Sequence, residues 1–98
     1  MRRPRVKKLR HRIAHPPPGE QLVDDFLRGY VAWREACSSV ASAYRRWACA
    51  PLASRTSAFA EYGSALDREE QAAGAYRRLT RLVQDAEAER RSAARPRP

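Results

Sequence analysis

Large side chains recur every three or four residues along the middle of this chain, and this spacing limits its fold more than any other feature. The first series consists of Val23, Phe26, Tyr30, Trp33, Cys37, Val40, Tyr44 and Trp47. Steps of three and four residues place one side chain per turn on the same face of an α-helix. The sequence therefore predicts an amphipathic helix over residues 19–49.

A second series with similar spacing follows and consists of Phe59, Tyr62, Leu66, Glu69, Ala73, Tyr76, Thr80 and Val83. It predicts another helix over residues 52–90. All eight aromatic residues of the chain fall on one of the two series. The predicted fold class is therefore all-α.

Pro51 stands between the two predicted helices and interrupts the helical hydrogen bonding. A short connection favours an antiparallel hairpin, in which the two helices lie side by side. A single helix kinked at Pro51 is the alternative. In the hairpin, residues whose numbers sum to about 106 face each other. This register predicts the pairs Trp47 with Phe59, Tyr44 with Tyr62, Val40 with Leu66, Trp33 with Ala73, Tyr30 with Tyr76, and Val23 with Val83.

The two series predict an aromatic seam that contacts the other helix or a partner. Its residues are Val23, Phe26, Tyr30, Trp33, Val40, Tyr44, Trp47, Phe59, Tyr62, Leu66, Tyr76 and Val83. Small residues beside the seam, among them Gly29, Ala43 and Ala65, allow the helices to approach closely. A single seam leaves the outer edges of Trp33 and Trp47 in water. We therefore expect completion to a four-helix bundle by self-association, or docking on another protein.

Arginine pairs follow an aromatic residue in both predicted helices, in the stretches SAYRRW at 42–47 and GAYRRL at 74–79. Tyr44 belongs to the seam, so Arg45 and Arg46 fall on the opposite, solvated face, and the second pair does the same. The expected role is a solvated helix surface, and a phosphate-binding stripe is the alternative.

The net charge of +9 is concentrated in the two tails. The segments 1–19 and 90–98 hold eleven of the twenty basic residues and no acidic residue, which leaves nine basic and eleven acidic residues, a net charge of −2, between them. We divide the chain into a Pro-rich tail (1–18), the hairpin (19–90) and an Arg/Pro tail (91–98). Both tails are expected to be disordered. A short amphipathic helix through Val6, Leu9 and Ile13 is the alternative for the first.

The candidate polyanion-binding residues all lie in the N-terminal tail: Arg2, Arg3, Arg5, Lys7, Lys8, Arg10 and Arg12. Such side chains bind phosphates without reading a base sequence. Two functions thus stay open. The first is an adaptor or oligomerisation module that binds itself or a helical partner, and the second is a nucleic-acid-associated protein that contacts RNA or DNA non-specifically through its tails.

No pattern in the chain points to a metal, a cofactor or a catalytic residue, so we expect no enzyme. His11 and His15, the only histidines, lie in the tail. Cys37 and Cys49 lie twelve residues apart on one predicted helix, about 18 Å, which is too far for a disulfide. Cys37 is expected in the core, whereas Cys49 is the candidate for an exposed thiol or an intermolecular disulfide.

Glu69 is the one carboxylate at a seam position, where the register places it opposite Cys37. We expect it to turn outward to Arg34 or water, and a role in setting register or receiving a partner's arginine is the alternative. No uncharged stretch is long enough to cross a membrane. The basic N-terminus lacks the apolar region of a secretory signal, so we expect a cytoplasmic location.

Overall fold

The computed structural model describes residues 18–95, which form two long α-helices joined by a short turn. Helix α1 is Pro18–Ala48, a 3₁₀ turn covers Leu52–Ser54, and helix α2 is Arg55–Ala94. The two helices pack against each other along their length. The predicted all-α helical hairpin is confirmed. The predictions for residues 1–17 and 96–98, including the seven polyanion-binding candidates, lie outside the described residues.

Helix α1 begins at a proline, because this residue lacks the backbone donor that the first helical position does not need. Glu20 lies in the first turn, and Arg45 and Arg46 lie in the last. Both arrangements place charge where it is favourable along the helix dipole. The first helix thus has the boundaries that its sequence predicts to within one residue at each end.

Pro51 ends the first helix and does not merely kink it. Cys49 N–H donates to the Arg45 carbonyl at 3.1 Å and Ala50 N–H to the Trp47 carbonyl at 3.2 Å, after which Pro51 adopts an extended backbone with φ −63° and ψ 160°. The Arg55 guanidinium donates to the Ala50 carbonyl at 3.2 Å and so supplies a partner for one carbonyl of the turn. The kinked-helix alternative is therefore wrong.

Helix α2 starts later and ends later than the sequence predicts. Its first residue is Arg55 because the chain passes from Pro51 through the 3₁₀ turn. It continues to Ala94 rather than to residue 90, since nothing before Pro96 interrupts it and alanine favours helix. The residue before a proline avoids the helical conformation, and Arg95 is extended with φ −70° and ψ 133°. Residues 91–94 therefore belong to the helix and not to the C-terminal tail.

Small residues and one leucine, not aromatic residues, form the line along which the two helices face each other. They recur every seventh residue and are all buried or half-buried, and we call them the inner line: Gly29, Ala36, Ala43 and Ala50 on α1, with Ala58, Ala65, Ala72, Leu79 and Ala86 on α2. Ala43 and Ala65 are each only 1% exposed. A seven-residue repeat keeps one row of side chains facing the partner helix.

Leu79 is the one large residue of the inner line, and it contacts Gly29, the one glycine of that line. A Cβ built on Gly29 would lie 2.7 Å from Leu79 Cδ1, whereas the other positions of the line near the middle are occupied by alanine on both helices. Helix separation is thereby kept small along the hairpin. Among residues 18–95, neither helix combines the length and the apolar character that a membrane crossing requires.

Candidate interaction surface

Aromatic rings on both sides of the turn contact each other across the two helices. The ring centroids of Trp47 and Phe59 are 4.9 Å apart, those of Tyr44 and Tyr62 are 5.6 Å apart, and Trp47 stacks on Tyr62 at 5.5 Å. Rings at these distances attract each other beyond the area they bury. The predicted pairs Trp47 with Phe59 and Tyr44 with Tyr62 are thus brought together.

Tyr76 is the centre of a second aromatic cluster towards the open end of the hairpin. Its ring lies 5.4 Å from Phe26, 5.7 Å from Tyr30 and 5.6 Å from Trp33, and it stacks on Trp33 with an interplanar angle of 7°. The predicted pair Tyr30 with Tyr76 is therefore in contact. One ring on α2 thus contacts three rings from successive turns of α1.

Within residues 18–95, Glu69 forms no ion pair with Arg34, the partner that the sequence suggests. Its Oε2 accepts a hydrogen bond from Trp33 Nε1 at 3.0 Å, and the carboxylate is half-buried. The expectation that Glu69 turns away to Arg34 or water is corrected, because the hairpin register brings the indole N–H of Trp33 within reach first. A half-buried carboxylate and a half-buried indole donor thus satisfy each other.

Because the inner line occupies the helix contact, five of the twelve predicted seam residues are exposed. Phe26, Trp33, Val40 and Trp47 on α1 are half-buried, as are Tyr62, Tyr76 and Val83 on α2. The remaining seam residues, which are Val23, Tyr30, Tyr44, Phe59 and Leu66, are exposed. They lie to one side of the contact because the helices are rotated by about one heptad position relative to a seam centred on large residues.

These exposed seam residues, together with Leu27, lie on one side of the hairpin, which we call the apolar flank. On α1 the flank contains Val23, Leu27, Tyr30 and Tyr44, and on α2 it contains Phe59 and Leu66; each is between 41% and 54% exposed. No large side chain among the described residues is fully buried. The hairpin alone therefore leaves much of its large apolar surface in water.

The opposite side of the contact is mostly polar, and it also carries Leu82, which is 52% exposed. Arg46 Nε lies 3.7 Å from Glu61 Oε1 across the two helices, with both side chains largely exposed. Ser64 and Arg68 lie beside this ion pair and line a shallow groove with it. The two flanks of one helix contact thus differ sharply in chemistry.

The apolar flank itself changes character along its length. Near the turn, over residues 37–66, helical periodicity places only uncharged residues on it: Cys37, Ala41, Tyr44, Ala48, Thr56, Phe59, Gly63 and Leu66. Farther from the turn the same rows carry Arg34, Glu70 and Arg77. The uncharged part is therefore the candidate contact surface.

The remaining candidate groups lie at separate places on the hairpin. Cys37 is half-buried and Cys49 is exposed, and both are free thiols. The arginine pairs, Arg45 with Arg46 and Arg77 with Arg78, are exposed. Within residues 18–95, no group of three or more histidine, cysteine or acidic side chains could hold a metal ion.

Comparison with known proteins supplies no family for this chain: it matches no protein-family model, no curated protein and no solved structure.

Proposed function

We propose that this protein is a non-enzymatic helical interaction module, which docks through its apolar flank on a second helical surface and so completes a four-helix bundle. The observation that carries the proposal is the exposure of six large apolar side chains on one flank, between 41% and 54% each. Contiguous apolar surface of this kind is typical of interaction sites, whereas isolated exposed apolar residues are ordinary.

The contrast between the two flanks supports the same function. A hairpin that stays alone in water gains no stability from an uncharged flank. The polar flank of the same two helices carries charged side chains such as Arg46 and Glu61, which suit a surface in water. Burial of aromatic and leucine side chains supplies most of the free energy of helix association in water. The flank with Tyr44, Phe59 and Leu66 therefore offers the larger gain on docking.

Photocrosslinking from the two flanks of the full-length chain in its native cell tests the proposal. A benzoylphenylalanine at Leu66 samples the apolar flank, and the same group at Arg68, two residues away on α2, samples the polar flank as a matched control. We expect a discrete adduct from position 66 and none from position 68. Equal crosslinking from both positions, or none from either, would refute the docking function.

The basic N-terminal tail supports a second candidate function, non-specific binding to nucleic acid. Its seven basic residues stand without a single acid over residues 1–19. Lysines and arginines that replace counterions on phosphates give affinities that fall steeply with salt. We expect RNA or DNA retention, if this function holds, to disappear on deletion of residues 1–17. Retention that survives the deletion, or that does not respond to salt, would exclude it.

A further inference from the structure

We infer that the surface which covers the apolar flank is the same flank of a second copy of this hairpin, with the two copies related by a two-fold axis parallel to the helices. The inference rests on the proposed function and names its partner. Three observations support it: Gly63 is not required by any contact within the chain, the axis imposes a definite register, and the flank carries charges of both signs.

Gly63 lies within α2, where glycine costs about 1 kcal/mol relative to alanine. The fold does not require it: a Cβ built there would meet no atom of the chain within 4 Å. Gly29 differs, because Leu79 occupies the space that its Cβ would take. Gly63 borders the uncharged part of the apolar flank, so the space beside it is available to another molecule.

A two-fold axis parallel to the helices keeps every residue at its own height along the hairpin. Helix α1 of one copy then lies antiparallel to α2 of the other, and the register between copies equals the register within one copy. Residues whose numbers sum to about 107 therefore face each other across the interface. The sizes of the side chains at the facing positions show whether this register allows close packing.

In the uncharged part of the flank, every large residue meets a small one in this register. Tyr44 faces Gly63 of the second copy. Ala48 faces Phe59 of the second copy, and Ala41 faces its Leu66. Tyr44, Phe59 and Leu66 are half-exposed and project from the flank, and Ala41 and Ala48 are exposed positions with short side chains. Large side chains seated against small ones are the condition for close helix packing.

The charges on the flank agree with this arrangement. Within residues 18–95, neither Arg34 nor Glu70 belongs to an ion pair of the chain. In the symmetric register, Arg34 of one copy lies about one turn from both Glu70 and Arg77 of the other, and its long side chain can turn to the carboxylate. Opposite charges thus approach each other twice in the dimer, once on each side of the axis.

The apolar area is of the right order for a stable dimer. The six large residues of the flank are each about half exposed and present roughly 500 Å² per copy at ~200 Å² or less for each whole side chain. A stable interface buries about 800 Å² per partner. Further apolar area comes from the small residues of the flank and from the methylene groups of its arginines, which lie between the six large residues.

Substitution of Gly63 separates the dimer from the hairpin. Gly63→Leu fills the space for Tyr44 of the second copy, whereas its Cβ meets nothing within 4 Å in its own chain. We expect the dissociation constant from sedimentation equilibrium to rise about 100-fold or more, because the clash occurs twice per dimer. Helicity by circular dichroism should stay the same or increase. Gly74→Leu is the matched control, since it replaces a glycine of the same helix on the face away from both contacts.

A double variant tests the assigned pair directly. Tyr44→Ala combined with Gly63→Leu removes the clash, and we expect it to recover most of the dimer that Gly63→Leu loses. A wild-type chain that sediments at 11.2 kDa at about 100 µM would overturn the second copy as partner. So would a Gly63→Leu chain that dimerises like wild type, or equal losses in Gly63→Leu and Gly74→Leu.

Failure of this inference and failure of the proposed function give different results. A monomeric chain that still crosslinks from position 66 to a protein of another mass retains the docking function with a different partner. A crosslinked product of twice 11.2 kDa supports the second copy. Absence of any crosslink refutes both.

Discussion

The half of the hairpin near the turn and the half near its open end use the same inner line but fill it differently. Near the turn, Ala43 and Ala65 lie opposite each other and are both 1% exposed. Near the open end, Gly29 meets Leu79. The open half also gathers its rings around Tyr76 and pairs Glu69 with Trp33, whereas the turn half stacks its rings beside an uncharged flank.

The difference shows two ways to fill the inner line, with a small side chain on both helices or with no side chain on one helix and a large one on the other. The open half leaves Val23, Leu27 and Tyr30 half-exposed and adds the Trp33–Glu69 hydrogen bond to its ring contacts. The turn half leaves Tyr44, Phe59 and Leu66 half-exposed. Four substitutions test this division, and their expected effects decrease from Ala65 to Arg46.

Ala65→Leu should have the largest effect, because it forces a longer side chain into the closest helix contact of the turn half. We expect the free energy of unfolding to fall by about 3 kcal/mol. Thermal unfolding followed by circular dichroism measures the change. Ala60→Leu, on the exposed outer face of the same helix, should change it by about 0.5 kcal/mol or less. Equal effects would show that alanine is not required at the inner line.

Trp33→Phe tests how much the Trp33–Glu69 hydrogen bond stabilises the open half. The substitution leaves the Glu69 carboxylate without the donor at 3.0 Å, while Trp47→Phe removes an indole that makes no hydrogen bond within residues 18–95. Both changes remove a similar ring area. We expect Trp33→Phe to cost about 1–2 kcal/mol more than Trp47→Phe in urea unfolding. Equal costs would mean that Glu69 contributes nothing to the open half.

Gly29→Ala should stabilise the chain less than the same change at Gly74. Each replacement gains about 1 kcal/mol of helix propensity. At Gly29 the new methyl group lies 2.7 Å from Leu79 Cδ1, which must move, whereas at Gly74 it makes only ordinary contacts with arginine side chains. Melting temperatures measure the difference, and Leu79→Val should restore the gain at Gly29. An equal gain at both glycines would argue against the close Gly29–Leu79 contact.

Arg46→Ala should have the smallest effect. The ion pair with Glu61 spans 3.7 Å and both partners are largely exposed, so water and salt screen it. We expect a loss of about 0.5 kcal/mol or less, and less at high salt. A loss greater than about 1 kcal/mol in the same unfolding experiment would show that the polar flank contributes to closing the hairpin.

The sequence predicts the hairpin, and three of the six predicted facing pairs are observed as ring contacts. The three-and-four spacing of the aromatic residues and the position of Pro51 predict two antiparallel helices, and Trp47 with Phe59 and Tyr30 with Tyr76 are pairs in the structure. The predicted end of α2 is too early because only Pro96 stops the helix, and the alanines before it do not.

The rotation of the helices was harder to predict. A seam centred on large residues is the usual packing of a heptad repeat, and it predicts contacts by Tyr44 and Phe59 rather than by Ala43 and Ala65. The signal was present in the spacing of the small residues, which recur every seven positions from Gly29 to Ala50 and from Ala58 to Ala72. The Trp33–Glu69 hydrogen bond could not be foreseen, since it depends on side-chain direction within that rotation.

The alanine-lined contact also determines how this protein responds to temperature. The heat-capacity change of unfolding grows with the apolar area that folding removes from water. The least exposed side chains among residues 18–95 are three methyl groups. We expect a solitary hairpin to have a shallow stability curve, and the proposed association through the flank to raise that curve and bend it more strongly.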